Sequence, residues 1–286
     1  MDLLHTVEAM QAHADAARAA GRCLALVPTM GALHDGHLAL IEEAKRRADH
    51  VTVSIFVNPT QFGPAEDFAQ YPRTLEADLA ALEGIGGVDA VFAPTVEAMY
   101  PFGLPPWTTV RVRGLDRHLC GAFRPGHFEG VATVVAKLFL ACRPHLAVFG
   151  EKDAQQLALL RRMTAELGFG IEVVGHPTVR EADGLALSSR NRYLSAEERA
   201  EAVALKRALD AAQALLTGGE RHAGALVDAM RQEIGGAQRA RLQYAEVVDA
   251  ETLQPAETLT PGRYLAALAV FFGDTRLIDN TTLVVA

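Results

Sequence analysis

Up to about residue 180, short β-branched or apolar runs alternate with amphipathic stretches, and this rhythm limits the possible folds more than any other feature. Apolar runs of this length are typical of buried strands, and apolar residues three or four apart indicate helices. The predicted strands are 23–27 (ended by Pro28), 51–57, 89–93, 147–149 and 171–174, and the predicted helices are 1–20, 38–47, 74–82, 131–140 and 154–167. Strand and helix in alternation predict an α/β fold, a Rossmann-like parallel sheet with helices on both faces.

Beyond residue 180 the pattern changes to helices followed by strands. Ser195 and Glu198 have the spacing of a capping box, which predicts one long helix over 195–216. A second helix is predicted at 221–234, and strands are predicted at 242–248, 264–272 and 281–286. The chain is therefore expected to form two domains, a sheet domain at 1–178 and a small α+β domain at 179–286.

Composition excludes several classes of protein. The chain has 286 residues and a net charge of −8, with acids and bases interspersed, so no basic surface for nucleic acid is predicted. No apolar run is long enough to span a bilayer, and the first residues lack the pattern of a secretion signal. Cys23, Cys120 and Cys142 are widely separated, which favours reduced thiols and a cytoplasmic protein over a disulfide framework.

The most informative segment is PTMGALHDGHLALI at 28–41, where a strand gives way to a glycine loop and then a helix. Helix N-termini bind anions because their first N–H groups lack partners within the helix. Gly31 and Gly36 permit close approach of a ligand to the backbone. His34 and His37 lie three residues apart and can face the same phosphate.

Two plainer interpretations of the histidines stay open. They could be part of a metal site, although the sequence offers no third ligand at a convincing spacing. They could also be incidental to an ordinary helix cap. A third feature, DGLALSSRNR at 183–192, supplies hydroxyl and guanidinium donors suited to nucleotide phosphates, although alone it reads as a polar turn before the Ser195 cap.

Together, the H-x-G-H motif and the later hydroxyl-rich loop resemble the nucleotidyltransferase superfamily, which includes class I aminoacyl-tRNA synthetases. Within it, the chain resembles the pantothenate synthetase family through five motifs in the family's order: VPTMGALHDGH, SIFVNPTQF, RPGHFEGV, FGEKDAQQL and DGLALSSRN. The likeness covers nearly all of the first 195 residues. Leu187 departs from the family, which usually has Met there, and Cys120 is a second departure.

The resemblance implies roles for the matching residues, and it implies that the C-terminal domain is a lid. It implies that His37, His34 and Lys152 are catalytic, with His37 as proton donor. Asn58, Gln61 and Gln156 are implied to bind pantoate, with Gln61 also facing β-alanine. The implied ATP-binding residues are Met30, Gly31, Ala32, Leu33, His34, Asp35, Gly36, His37, Gly150, Glu151, Lys152, Asp153, Val179, Leu187, Ser188, Ser189 and Arg190.

The residue chemistry agrees with two of these roles. Gln61 follows a strand, at the sheet edge where open α/β sheets bind ligands, and its amide can both donate to a carboxylate and accept from a hydroxyl. Lys152, at a strand-to-helix junction, is placed for a departing pyrophosphate. Each also has a plain alternative, a solvated loop glutamine and a surface ion pair. His127 is expected near the site without an assigned role.

The expected function is the ATP-dependent condensation of pantoate with β-alanine through a pantoyl-adenylate. Family likeness implies Mg²⁺ as the companion of ATP, and a homodimer. A cytidylyltransferase, an aminoacyl-tRNA synthetase fragment and a noncatalytic nucleotide sensor are the alternatives. Neither a metal-binding residue, nor a nucleic-acid partner, nor a membrane is predicted.

Overall fold

The computed structural model describes residues 1–64 and 66–286 and divides into two compact units. The first unit comprises residues 1–113, 124–151 and 159–177, and the second comprises 114–123, 152–158 and 178–286. The sequence-based division placed 114–123 and 152–158 in the first domain. They join the second unit because Phe123 stacks on Tyr244 and Asn280 donates to the carbonyl of Lys152.

The described strands are β1 Asp2–Leu4, β2 Leu24–Thr29, β3 His50–Ile55, β4 Ala90–Phe92, β5 Leu146–Gly150, β6 Glu172–His176, β7 Ala240–Asp249, β8 Gly262–Phe272 and β9 Thr275–Val285. The described α-helices are α1 Val7–Ala19, α2 Asp35–Arg47, α3 Leu75–Ile85, α4 Val96–Met99, α5 Cys120–Phe123, α6 His127–Cys142, α7 Ala154–Glu166, α8 Ala196–Glu201, α9 Ala204–Thr217 and α10 Ala223–Gly235. Short 3-10 turns lie at Pro59–Gln61, Glu151–Asp153 and Ser189–Tyr193.

The first unit is built on a parallel sheet of six described strands in the order β1-β4-β3-β2-β5-β6. Alternate residues of β3 face opposite sides. Val51 and Val53 pack in one core cluster with Ile41 of α2 and Leu82 of α3. On the other side, His50 contacts His13 of α1. The predicted α/β fold with helices on both faces is therefore confirmed.

The carboxyl ends of β2 and β5 form the switch point of this sheet. From β2 the chain continues to β3 on one side, whereas from β5 it continues to β6 on the other. Open parallel sheets bind ligands at such a point, because the loops there diverge and leave a crevice. The loop after β2 carries the H-x-G-H motif, so the fold places that motif where the sequence predicted a ligand.

Three local predictions were wrong. The first residues form β1 before α1, because residues 2–4 pair with β4 and Thr6 then caps the helix. β2 does not end at Pro28 but continues to Thr29. Proline is accepted there because the ladder with β5 has already ended at Leu26, so Pro28 pairs only with Ser54 of β3. Finally, the long helix over 195–216 is two helices, α8 and α9, separated at residues 202–203.

The second unit packs its helices against an antiparallel sheet of β7, β8 and β9. Its core contains Leu205 and Leu209 of α9, Leu226 of α10 and Leu268 of β8, all almost fully buried. The capping box of Ser195 and Glu198 at the start of α8 is confirmed. The predicted α+β character is confirmed with it.

Candidate active site

The helix that follows β2 is capped by its own histidines. His34 is the N-cap of α2, and its Nδ1 accepts the N–H of Gly36 at 3.1 Å. His37 lies one turn on, and its Nδ1 accepts the N–H of His34 at 3.4 Å. The two rings lie 4.1 Å apart between centroids. The expectation that both imidazoles share one face is confirmed by this distance.

These contacts determine where each imidazole carries its proton. A nitrogen that accepts a hydrogen bond from a backbone N–H has no proton of its own. The neutral rings of His34 and His37 are therefore protonated on Nε2, so Nε2 is the atom that can donate to a phosphate oxygen. Two N–H groups at the helix start are satisfied by imidazole nitrogens, which differs from the expectation that bare backbone amides face the ligand.

A turn after β3 carries Gln61 in a fixed orientation. Asn58 Oδ1 accepts the N–H of Thr60, and Asn58 Nδ2 donates to the carbonyl of Gly130 at 3.2 Å. Reversing the Asn58 amide would place donor against donor and acceptor against acceptor, so its orientation is settled. Asn58 Nδ2 also donates to Gln61 Oε1, also at 3.2 Å. Gln61 consequently presents its NH2 group on its other side, which contacts Met30 Sδ at 3.1 Å.

Tyr100 completes the Asn58 network. Its hydroxyl donates to Asn58 Oδ1 at 2.7 Å, and Asn58 is 1% exposed. Burial raises the pKa of the Tyr100 phenol, which keeps its proton in place as a donor. No local sequence signal points to Tyr100, because it lies 42 positions from Asn58 in the chain.

Arg124 and His127 support the backbone of the same turn. His127 Nδ1 lies 2.8 Å from the carbonyl of Gln61, which can only accept, so Nδ1 is the protonated nitrogen. His127 Nε2 then accepts from Arg124 Nη1 at 2.9 Å. Glu66 binds the other edge of the guanidinium through both carboxylate oxygens. His127 was expected near the site, and its hydrogen bond to the carbonyl of Gln61 places it there. The contacts of Arg124 and Glu66 with this turn were not predicted.

The candidate residues divide between the two units. Residues 30–37, Asn58, Gln61, Gly150 and Glu151 belong to the first, where β2, β3 and β5 end at one edge of the sheet. Lys152, Asp153, Gln156, Val179 and residues 187–190 belong to the second.

Lys152 lies in the 3-10 turn that precedes α7, and its side chain is 22% exposed. Its Nζ is 3.9 Å from Asp153 Oδ2, which is a long ion pair, and its carbonyl accepts from Asn280 Nδ2 at 2.7 Å. Gln156 is half-buried on the first turn of α7. Its neighbour Gln155 is the buried glutamine, and it donates to the carbonyls of Leu115 and His118.

The hydroxyl-rich loop follows a tight turn. The N–H of Leu187 donates to the carbonyl of Val179 at 3.0 Å, so these two predicted residues are neighbours. Arg180, between them in the turn, forms a paired hydrogen bond with the buried Asp279 and donates to the carbonyl of Gly184. Ser188 Oγ accepts from the N–H of Arg190 and starts the 3-10 turn at Ser189–Tyr193.

Within the described ranges, no group of three or more His, Cys, Asp or Glu side chains is arranged to hold a metal ion. The helices described here also include none with the length and apolarity needed to cross a bilayer.

The fold and the first-unit site define an α/β protein that presents imidazole and amide donors at the switch point of a parallel sheet. Comparison with known proteins makes this more specific. A family model described as Pantoate-beta-alanine ligase matches residues 2–282. The chain therefore belongs to the pantoate–β-alanine ligase family, whose members are enzymes that join an acid to an amino acid through a C–N bond.

Individual relatives agree along the whole chain. The pantothenate synthetase of Salinibacter ruber is 61% identical over 287 residues, which cover 98% of this chain and 97% of the relative. The crystal structure of pantothenate synthetase from Thermus thermophilus has a TM-score of 0.91 at 48% identity and covers 98% of this chain and 99% of its own. The pantoate-beta-alanine ligase of Francisella tularensis, complexed with beta-gamma ATP and beta-alanine, has a TM-score of 0.80 at 32% identity. The match covers 98% of this chain and 97% of the Francisella chain.

Proposed function

We propose that this ligase uses ATP to convert pantoate into a pantoyl-adenylate, which β-alanine then attacks to give pantothenate and AMP. The observation that carries the proposal is the imidazole pair at the start of α2, with both Nδ1 atoms occupied by backbone N–H groups. Two Nε2 donors on one helix end, next to its positive dipole, suit an anion such as a triphosphate. The Francisella tularensis relative is described as complexed with a form of ATP, which supports the same ligand here.

In the first step, a carboxylate oxygen of pantoate attacks the α-phosphorus of ATP. The bond from that phosphorus to the oxygen bridging to the β-phosphate breaks, and pyrophosphate leaves. Little covalent chemistry falls to the protein, so catalysis depends on positioning and on donors aimed at the developing charge. We assign this role to Nε2 of His34 and His37, to Lys152, and to the loop at 188–190, with the Nε2–H of His37 donating a hydrogen bond to an oxygen of the departing pyrophosphate.

In the second step, the neutral amine of β-alanine attacks the acyl carbon. The acyl carbon–oxygen bond breaks, AMP leaves with the oxygen that came from pantoate, and the amine loses a proton to solvent. The NH2 group of Gln61, whose orientation is dictated by Asn58, suits a hydroxyl or carboxylate oxygen of pantoate. Gln156 is proposed to bind the same acid.

The remaining ATP contacts are proposed for Met30, Gly31, Ala32, Leu33, Asp35, Gly36, Gly150, Glu151, Asp153, Val179 and Leu187. Mg²⁺ belongs to the proposal as the ion that accompanies ATP, since nucleotide-bound magnesium is coordinated largely by phosphate oxygens and water. We also propose that the enzyme works in the cytoplasm as a homodimer.

Isotope transfer tests the adenylate directly. Pantoate labelled with ¹⁸O in its carboxylate, ATP and β-alanine are incubated with the full chain, and the products are analysed by mass spectrometry. One ¹⁸O is expected in AMP, because the attacking oxygen stays on the α-phosphorus. Label in inorganic phosphate with ADP as co-product would contradict the adenylate. Product with CTP in place of ATP would favour a cytidylyltransferase-like nucleotide preference.

Matched variants test the histidines. His145 also accepts a backbone N–H through Nδ1, from Leu24 at 2.9 Å, but it lies at the amino edge of the same sheet. His37→Ala is expected to reduce pantoate-dependent ATP–pyrophosphate exchange about a hundredfold or more, whereas His145→Ala is expected to leave it within a fewfold. The ammonium group is tested in the same way: Lys152→Ala is expected to reduce pantoate-dependent ATP–pyrophosphate exchange, and the control Lys206→Ala is expected to leave it within a fewfold. Normal exchange in both His37→Ala and Lys152→Ala would contradict the assigned roles.

A further inference from the structure

A buried carboxylate from α3 holds the loop between β2 and α2. Asp78 lies in the first turn of α3 and is 3% exposed. Its Oδ2 accepts the N–H of Ala32 at 3.0 Å, and its Oδ1 accepts the N–H of Leu33 at 2.8 Å. A third hydrogen bond reaches Oδ2 from Thr74 Oγ1 at 3.2 Å. A carboxylate buried to this degree needs such partners, and two of them belong to one loop.

The held loop has an unusual backbone. Gly31 has φ +79° and Ala32 has φ +52°, and the second value is costly for a residue with a Cβ. A Cβ added to Gly31 would lie 2.9 Å from Asp78 Oδ2, so the loop passes against the carboxylate with no space between them. The hydrogen bonds to Asp78 offset the backbone strain and select this path for the loop.

The same contacts determine how the loop can bind a ligand. The N–H groups of Ala32 and Leu33 point at Asp78, and the N–H of Gly31 donates to Thr29 Oγ1 at 3.2 Å. Three successive amides thus face the protein, and the next residue is His34, the N-cap of α2. Under the proposed function, the donors that this segment offers to a phosphate are therefore the imidazoles of His34 and His37, and their positions depend on where the loop places His34.

We propose that Asp78 is a positioning residue for nucleotide binding, acting through the loop at 31–33 to place His34 and His37. The proposal rests on the proposed function and extends it to a residue that touches no substrate. Moving a binding group by about 1 Å can reduce its effect a hundredfold, so a loop released from Asp78 is expected to bind ATP poorly.

The test compares two carboxylates in the same unit. Asp89 also accepts a backbone N–H, from Val51 at 2.8 Å, but it lies at the amino end of the sheet. ATP binding to the full chain, without pantoate, is measured by titration calorimetry for the parent, Asp78→Asn and Asp89→Asn proteins. In Asp78→Asn an NH2 group replaces one acceptor opposite a backbone N–H, so Kd for ATP is expected to rise about tenfold to a hundredfold. The Kd for ATP of Asp89→Asn should stay within twofold of the parent value. The KM for pantoate should change in neither variant.

An unchanged ATP Kd in folded Asp78→Asn would overturn the positioning role and leave the proposed function standing. If Asp78→Asn does not fold, Gly31→Ala is tested in its place, because the added methyl group would be directed at Asp78 Oδ2. The same rise in the Kd for ATP is expected in Gly31→Ala. Hydrogen exchange of the Ala32 and Leu33 amides is expected to become faster. Unchanged exchange or unchanged affinity in Gly31→Ala would count against the proposal. A parent protein that binds ATP but forms no pantothenate would contradict the proposed function alone, and one that binds no ATP would contradict both.

Discussion

Asn58 Nδ2 donates to Gln61 Oε1 at 3.2 Å, and this contact decides which end of the Gln61 amide is presented to a ligand. The prediction that follows concerns Gln61→Glu. The variant keeps an acceptor for Asn58 but replaces the NH2 donor with a negative oxygen, which repels the carboxylate of pantoate. KM for pantoate is expected to rise about tenfold or more, with little change in thermal stability.

Steady-state kinetics with pantoate varied at saturating ATP measures this effect. Gln213→Glu on α9 makes the same chemical change on the second unit and should leave KM for pantoate unchanged. A normal KM in Gln61→Glu would show that the NH2 group of Gln61 does not contact the acid.

A second prediction concerns Tyr100, whose hydroxyl donates to Asn58 Oδ1 at 2.7 Å. Tyr100→Phe removes this bond, although Thr60 still donates to the same oxygen. The free energy of unfolding is expected to fall by about 1 kcal/mol, and KM for pantoate to rise by a small factor. Tyr264→Phe removes the hydrogen bonds between the Tyr264 hydroxyl and Thr260 in the second unit and serves as the control, with destabilisation at least as large and an unaltered KM for pantoate. Equal KM values for pantoate in both variants would show that the Tyr100 hydroxyl has no part in the pantoate site.

These contacts mark the limit of what the sequence could predict. The strand and helix pattern predicted the α/β fold, and the segment with H-x-G-H predicted a helix after a glycine loop, because both signals lie in neighbouring residues. Asp78, Tyr100 and Arg124 bond to site residues that lie 45 to 46, 40 to 42 and 63 positions away along the chain, respectively, and only the folded structure brings them together. Asp78 and Tyr100 have no local pattern that distinguishes them from ordinary core residues, and the RPGHFEGV motif that contains Arg124 does not indicate which residues Arg124 contacts.

The break between α8 and α9 was missed for a related reason. Residues 202–203 are Ala and Val, with neither glycine nor proline to signal an end. Both keep right-handed helical dihedrals, and the N–H of Leu205 bonds to the carbonyl of Ala202, three residues back, in a tighter turn. Apolar periodicity continues through such a turn, so it predicts one helix where the structure has two.

A third prediction uses the ion pair of Glu66 with Arg124. Burial alone would raise the pKa of Glu66, but the hydrogen bonds and charge of Arg124 outweigh it, so the pKa lies below its ordinary value of 4.5. The folded state therefore holds this proton more weakly than the unfolded chain does. The stabilisation is fully present above pH 4.5 and is lost as the pH falls through the lowered pKa.

Urea unfolding of the parent protein and of Glu66→Gln from pH 7 down to pH 3 measures this contribution. The difference in unfolding free energy between the two proteins should be largest near neutral pH and should shrink in acid. A difference that is constant over this range would show that Glu66 does not act through its charge.

The last prediction concerns Gly130 on α6, which packs directly against the turn that carries Gln61. A Cβ at Gly130 would lie 2.3 Å from the carbonyl oxygen of Thr60 and 2.8 Å from the N–H nitrogen of Gln61, so the turn must move if a methyl group is added. Gly130→Ala is expected to raise KM for pantoate about tenfold and to lower stability by about 1–3 kcal/mol, because helix and turn can no longer approach.

Gly224 on α10 is the matched control, since a Cβ there would meet nothing within 4 Å. Gly224→Ala should stabilise the protein by up to about 1 kcal/mol, because alanine favours a helix more than glycine does, and should leave KM for pantoate unchanged. Kinetics and thermal unfolding of both variants separate the two effects. If Gly130→Ala behaved like Gly224→Ala, the close approach of α6 would have no part in placing Gln61.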